Sequence, residues 1–123
     1  MAVDSPLTGW GLPDSDEALE PLNHYSPALQ ASMVVKTGPG ILYGVTVTNT
    51  LTSAQYVMIF DATAVPSDGA IPLLAKSVPG SDAVGFSWLP GRTFLTGIVI
   101  CNSTTQTSKT LGLANCLFDC QFV

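Results

Sequence analysis

Charge is what this sequence has least of. Asp, Glu, Lys and Arg make up 11% of its 123 residues, where a typical soluble domain carries roughly a quarter. The apolar share is ordinary at 46%, so Ser, Thr, Asn, Gln and Gly stand where charge is missing. That mix suits strands and tight turns and disfavours helices. It also suits a surface largely covered by other molecules, because a free monomer usually needs more charge to stay dissolved. Basic residues are scarcest, four against nine acids, which leaves no basic patch for nucleic acid. Histidine occurs once, as His24, so a Ser or Cys nucleophile would lack a partner base in the body of the chain. A zinc site would lack ligands. No apolar run approaches the ~18 residues of a membrane span, and the longest, Thr96–Cys101, is strand-sized. Met1–Pro21 has neither the basic start nor the apolar centre of a signal peptide.

Cysteine is also sparse, with three in the chain. Cys116 and Cys120 on one strand would lie about 13 Å apart at ~3.3 Å per residue, beyond the ~7 Å Cα limit of a disulfide. Cys101 could reach one of them across a sheet, but all three read as small buried hydrophobes, made in a reducing cytoplasm. The glycine patterns form no phosphate loop. Asp68-Gly69 resembles a fragment of a calcium loop without the other acidic ligands or the closing Glu. No cofactor and no metal are therefore expected.

The charge that is present is unevenly placed. Asp4, Asp14, Asp16, Glu17 and Glu20 fall in the first twenty residues with no Lys or Arg. From Pro21 onward Asp61, Asp68, Asp82 and Asp119 balance Lys36, Lys76, Arg92 and Lys109. Residues 1–31 read as an extended acidic N-terminal arm, punctuated by Pro6, Pro13, Pro21 and Pro27, with room for a helical turn or two over Asp14–Glu20. Such a stretch is either a solvated tail or an arm that docks onto a partner. Trp10, Leu12, Leu19, Leu22 and Tyr25 are apolar beads on it. A purely disordered tail rarely carries so many, so these five are candidate interface anchors.

Residues 32–123 change to period two and predict one β-sandwich domain. Strands are expected at Ser32–Lys36, Ile41–Asn49, Ala54–Asp61, Leu73–Val78, Ala83–Trp88, Phe94–Asn102 and Ala114–Val123. In the second of these, Tyr43, Val45 and Val47 share one face, and Leu42, Gly44, Thr46 and Thr48 the other. Ala54–Asp61 is apolar on both sides. Val84, Phe86 and Trp88 share a face, as do Cys116, Phe118, Cys120 and Phe122. Gly and Pro clusters mark the turns, including Leu89-Pro90-Gly91-Arg92. Seven or so short strands with no ordinary helix are the signature of an antiparallel sandwich or jelly roll. Asp61 and Asp119 are the one conceivable catalytic carboxylate pair. A strand-ending cap and a polar strand face explain them better, and no catalytic residue is expected.

Several stretches resemble small structural proteins of tailed bacteriophages. They are Leu42-Tyr43-Gly44-Val45-Thr46-Val47-Thr48-Asn49-Thr50 and Ala54–Ala62, followed by Val65–Pro72, then Thr96–Thr105, Lys109-Thr110-Leu111-Gly112 and Phe118-Asp119. The likeness covers roughly residues 41–123 and leaves the arm outside. It implies a jelly-roll or β-sandwich capsid decoration (cement) protein on the virion's exterior, synthesised in the host cytoplasm. Its implied partners are the major capsid protein, which it bridges and stabilises, and itself, as a dimer or trimer, with no nucleic acid and no membrane. The alternative is a tail-fibre or head-spike component whose sandwich binds carbohydrate or another partner, with an aromatic such as Trp88 or Tyr43 exposed at a loop rim.

Overall fold

A computed structural model describes residues 21–123. The helical turn expected at Asp14–Glu20 lies outside them. Eight strands follow in order: β1 (Leu22–Tyr25), β2 (Ser32–Lys36), β3 (Gly40–Asn49), β4 (Gln55–Phe60), β5 (Leu74–Val78), β6 (Asp82–Phe94), β7 (Ile98–Ser103) and β8 (Cys116–Phe122). They form two four-stranded antiparallel sheets, sheet I in the order β1-β8-β3-β6 and sheet II in the order β2-β7-β4-β5. The described chain is all-β, a sandwich of the two sheets. The pairing has a simple rule. β1 pairs with β8, β2 with β7, β3 with β6 and β4 with β5, as in one long hairpin folded at the β4–β5 loop. The β3–β8 and β4–β7 contacts then complete the two sheets.

The core fills the space between the sheets. Leu42, Val45 and Val47 of β3 and Cys116, Phe118 and Cys120 of β8 face Met33, Val35, Val57, Ile59, Ile98 and Ile100 of sheet II. Val84, Phe86 and Trp88 of β6 close its flank, half-buried. Alternation along β8 is therefore as expected, with Leu117, Asp119 and Gln121 on the outer face.

Four details differ from the sequence reading. β1 falls within residues 1–31, the stretch read as an arm, and pairs along its whole length with the far end of the chain. In β3, Leu42 joins Val45 and Val47 in the core instead of lying opposite them, because the ladder to both neighbours slips between Leu42 and Gly44. One residue out of register reverses every side chain beyond it. That slip also turns the expected turn at Leu89–Arg92 into a bulge inside β6. Gly44 is level with Ser87 and Leu42 with Arg92, so Trp88–Gly91 all lie opposite Tyr43. Gly91 sits there at φ +125°, and a Cβ on it would come within 2.7 Å of Ile41 Cγ2. Finally, the expected strand Phe94–Asn102 is split. Phe94 ends β6, Leu95–Gly97 turn, and β7 starts at Ile98.

Candidate interaction surfaces

The last of those turns is fastened by a single side chain. Asp61, the residue after β4, accepts hydrogen bonds from the Thr96 hydroxyl at 2.6 Å and from the backbone N–H groups of Thr96 at 2.8 Å, Leu95 at 3.0 Å and Gly97 at 3.2 Å. The hydroxyl first, and the N–H groups after it, hold its carboxyl well below the usual carboxylate range. Asp61 is thus a loop cap, as its place at a strand end suggested. Asp119 lies on the other sheet, on the outer face of β8, and accepts from Gln121 Nε2 at 3.2 Å. The two carboxylates belong to separate surfaces, so the fold does not assemble them into a pair.

The other acid–base pair is also a fastener. Lys109 is buried, and its Nζ donates to Asp68 Oδ1 at 2.5 Å. The same oxygen accepts from the Leu111 N–H at 3.1 Å, and the lysine and that N–H together lower the pKa of Asp68. Gly69 N–H donates to the Lys109 carbonyl and Lys109 N–H to that of Ala70. These bonds pin the tip of the β4–β5 loop onto the β7–β8 loop. The pinned loop lies over the outer face of sheet II, where Ala62, Val65 and Ala70 pack on Met58, Phe60, Val99 and Cys101. This second small core is why β4 is buried on both faces. An open cleft of about 340 Å³ remains along the loop between Phe60, Pro66, Ala70, Ile71 and Leu73.

At the opposite end of the sandwich three buried amides link the two sheets. Asn102 Nδ2 donates to Asn115 Oδ1 at 2.9 Å, and Asn115 Nδ2 to Asn49 Oδ1 at 2.8 Å. Asn49 Nδ2 continues to the carbonyls of Ser53 and Pro79. A chain of amides in a dry setting fixes geometry because each member would be costly to leave unpaired. It brings the loop before β8 against the ends of β3 and β7.

The cysteines are free and buried. Burial pushes the thiols of Cys101 and Cys116 up to about 11, and burial with the nearby Asp119 charge pushes Cys120 up to about 12. His24 is half-buried beside Phe122, with ring centroids 6.5 Å apart.

Of the five candidate anchors, Trp10, Leu12 and Leu19 lie outside the described residues. Leu22 and Tyr25 stand at the two ends of β1, 61% and 55% exposed. Leu22 is level with Phe122 and Tyr25 with Asp119, so the two point to opposite faces of sheet I. The strand displays both and does not bring them together. Neither aromatic considered for a loop rim is freely exposed. Trp88 is half-buried edge-on to Phe86, with centroids 5.2 Å apart, and Tyr43 lies half-buried in the bulge.

Two surfaces escaped the sequence reading. The outer face of sheet I carries Gly44, Thr46 and Thr48 beside Ala83, Gly85 and Ser87, a run of small side chains in neighbouring register. Period two placed Thr46 and Thr48 on one face, but nothing in the sequence shows that β6 lies next to them. Leu89, at the crest of the β6 bulge, is 99% exposed, and Ile71 and Leu95 at the Asp61 end of the sandwich are 74% and 75% exposed. The Leu-Pro-Gly text signals a turn and gives no hint that it protrudes from a strand.

Comparison of the chain with family models, curated proteins and solved structures returns no match.

Proposed function

We propose that the chain is a non-enzymatic structural protein of a bacteriophage virion, a decoration protein that sits on the capsid exterior and bridges neighbouring major capsid proteins. The observation that carries this reading is the strand pairing. A long hairpin in which β1 meets β8, β2 meets β7, β3 meets β6 and β4 meets β5, rolled into sheets ordered β1-β8-β3-β6 and β2-β7-β4-β5, is the pairing a jelly roll requires. That fold recurs in viral capsid and lectin domains. A fold alone does not give a function, so the side chains must narrow it. Asp61, Asp68 and Lys109 are spent fastening loops, and Asn49, Asn102 and Asn115 bond one another. Much of the described surface left over is of small hydroxyl-bearing and isolated apolar residues, with few charges such as Lys76 and Asp82 among them, which suits adhesion.

In this reading the N-terminal arm tethers the domain to adjacent capsid subunits through Trp10, Leu12 and Leu19, with Leu22 and Tyr25 at its root. Ordering such an arm costs about 1–2 kcal/mol per residue, so it would hold through repeated contacts on a lattice. The test is co-sedimentation with undecorated capsids, comparing the full chain with a version that starts at Pro21. The cut falls there because β1 is part of sheet I. The full chain should pellet with capsids and saturate at a fixed ratio to the major capsid protein, and the shortened one should bind more weakly. Failure of the full chain to bind overturns the proposal. Equal binding by both keeps the decoration role and removes the arm from it.

A further inference from the structure

Among the described residues the sandwich has four edge strands, β1 and β6 in sheet I and β2 and β5 in sheet II. An edge offers unpaired backbone groups, and proteins that stay single blunt it by shortness, bulges, proline or an inward-pointing charge. Three of the four are blunted. β1 is four residues long. β2 is five residues long, and its ladder slips between Val34 and Lys36. β5 is also five, and its Lys76 folds over the ring of Phe86, with Nζ 5.6 Å from the centroid. β6 is different. It is thirteen residues long, and its protective features, Pro90 and the bulge, are confined to the second half. Asp82–Ser87 runs in unbroken register with Asn49–Gly44, and Ala83–Ser87 holds no charge and no proline.

The geometry points to β6 as a self-association edge, at which a second copy of this chain adds its own β6 antiparallel about a two-fold axis through Gly85. Three features favour that occupant. In this register Gly85 meets its counterpart, Val84 meets the other copy's Phe86, and Ala83 meets its Ser87. Small residues then face small residues on the outer side, where Ala83, Gly85 and Ser87 are exposed. On the inner side Val84, Phe86 and Trp88 are only half-buried, and the pairing covers the remainder with the same residues of the partner. Charge agrees as well. Asp82 and Arg92 are the strand's only charged residues, one toward each end, and antiparallel pairing sets acid end against basic end twice over. An isologous contact of this kind closes on itself as a dimer and joins the two copies of sheet I into one eight-stranded sheet. The dimer does not depend on a capsid role and would stand without one.

The test is the mass of the full-length protein by light scattering across a concentration series, with Gly85→Lys as the disrupting variant. A Cβ at Gly85 meets Thr46 Oγ1 at 3.4 Å and the Val45 carbonyl at 3.5 Å, ordinary contacts, so the monomer has room for it. On the axis, however, two lysines would face each other, and like charges directly opposite are destabilising. The expected result is two chains for the wild type and one for Gly85→Lys, with a melting temperature that rises with protein concentration in the wild type and is independent of it in the variant. A second measurement is independent of that variant's folding. Gly85→Cys should form a covalent dimer on mild oxidation, while Ala75→Cys on the exposed part of β5 should not. A wild type that stays single at all concentrations, an assembly that survives Gly85→Lys, or equal cross-linking at both positions overturns the proposal. So does a monomeric wild type whose first twenty residues become protease-sensitive in Gly85→Lys, since that would give the edge to the chain's own N-terminal segment.

Discussion

The two sheets share a core but treat their outer faces in opposite ways. Sheet II is roofed by its own β4–β5 loop, so Met58, Phe60, Val99 and Cys101 are as buried as residues between the sheets. Sheet I has no such roof among the described residues, and Thr46, Gly85 and Ser87 are open to solvent. The side chains follow the difference. Under the roof the outer row is large and apolar, and on the unroofed sheet the outer rows of β3 and β6 are Gly, Ala, Ser and Thr, with Leu117, Asp119 and Gln121 beside them on β8. Burial on the outside of a sheet is therefore set by what the loops do, and among the described residues no loop covers the outer face of sheet I.

The strongest way to probe this contrast is to open a cavity on each side of sheet II. Phe118 faces the shared core at 0% exposure and Met58 faces the roof at 0%. Phe118→Ala should cost about 3–5 kcal/mol and Met58→Ala about 2–5 kcal/mol, read by urea unfolding. If the roof were loosely laid, Met58→Ala would fall near zero while Phe118→Ala kept its cost. The cysteines sharpen the same comparison kinetically. Cys101 lies under the roof, and Cys116 and Cys120 lie between the sheets. With thiols pushed up to about 11, 11 and 12, none should react with a thiol reagent in the native state at neutral pH. In sub-denaturing urea Cys101 should be labelled first, because lifting one loop needs less energy than separating the sheets. Simultaneous labelling of all three would mean that the roof opens only with global unfolding.

Acid should weaken the roof next. Asp61 and Asp68 have carboxyls held below their ordinary value by the turn they cap and by Lys109. A carboxylate whose folded pKa is depressed contributes stability that is complete above the unfolded value, about pH 4. That contribution is lost as pH falls toward the lowered value. The melting temperature should therefore drop below about pH 4, and Asp61→Asn should lower it at pH 7 while flattening the acid limb. An acid limb unchanged by Asp61→Asn would show that the cap contributes nothing.

Much of this architecture is legible in the sequence, for reasons that also explain what is not. β4 reads as apolar on both faces and Thr96–Cys101 as one apolar run, and Val57–Phe60 and Ile98–Cys101 are indeed buried throughout, while Thr96 is exposed in the turn before β7. A strand apolar on both sides needs cover on both sides, so a roof was implied, but which segment supplies it depends on Lys109 meeting Asp68 across 41 positions. β8 was legible because its alternation is unbroken. β1 was not, since Leu22-Asn23-His24-Tyr25 has no alternation of its own and its pairing comes from Asp119–Phe122 at the other end of the chain. The face assigned to Leu42 failed because a one-residue slip leaves no local trace. Of the candidate anchors, Leu22 and Tyr25 were legible only as apolar residues of an arm, and their place on the two faces of a strand follows from a pairing the pattern did not show.

The smallest expected effect lies on the bare face. Thr46 is exposed on the middle of β3, with Asp119 opposite on one side and Gly85 on the other. Its side chain touches no roof and fills no cavity, so Thr46→Ala should lose only strand preference, at most about 1 kcal/mol, against about 2–5 kcal/mol for Met58→Ala on the roofed face. Equal costs for the two would mean that sheet I is covered as well, by another copy or by the N-terminal segment. A concentration series separates these cases. A cost for Thr46→Ala that grows with protein concentration belongs to a contact between copies, and one that stays constant belongs within a single chain.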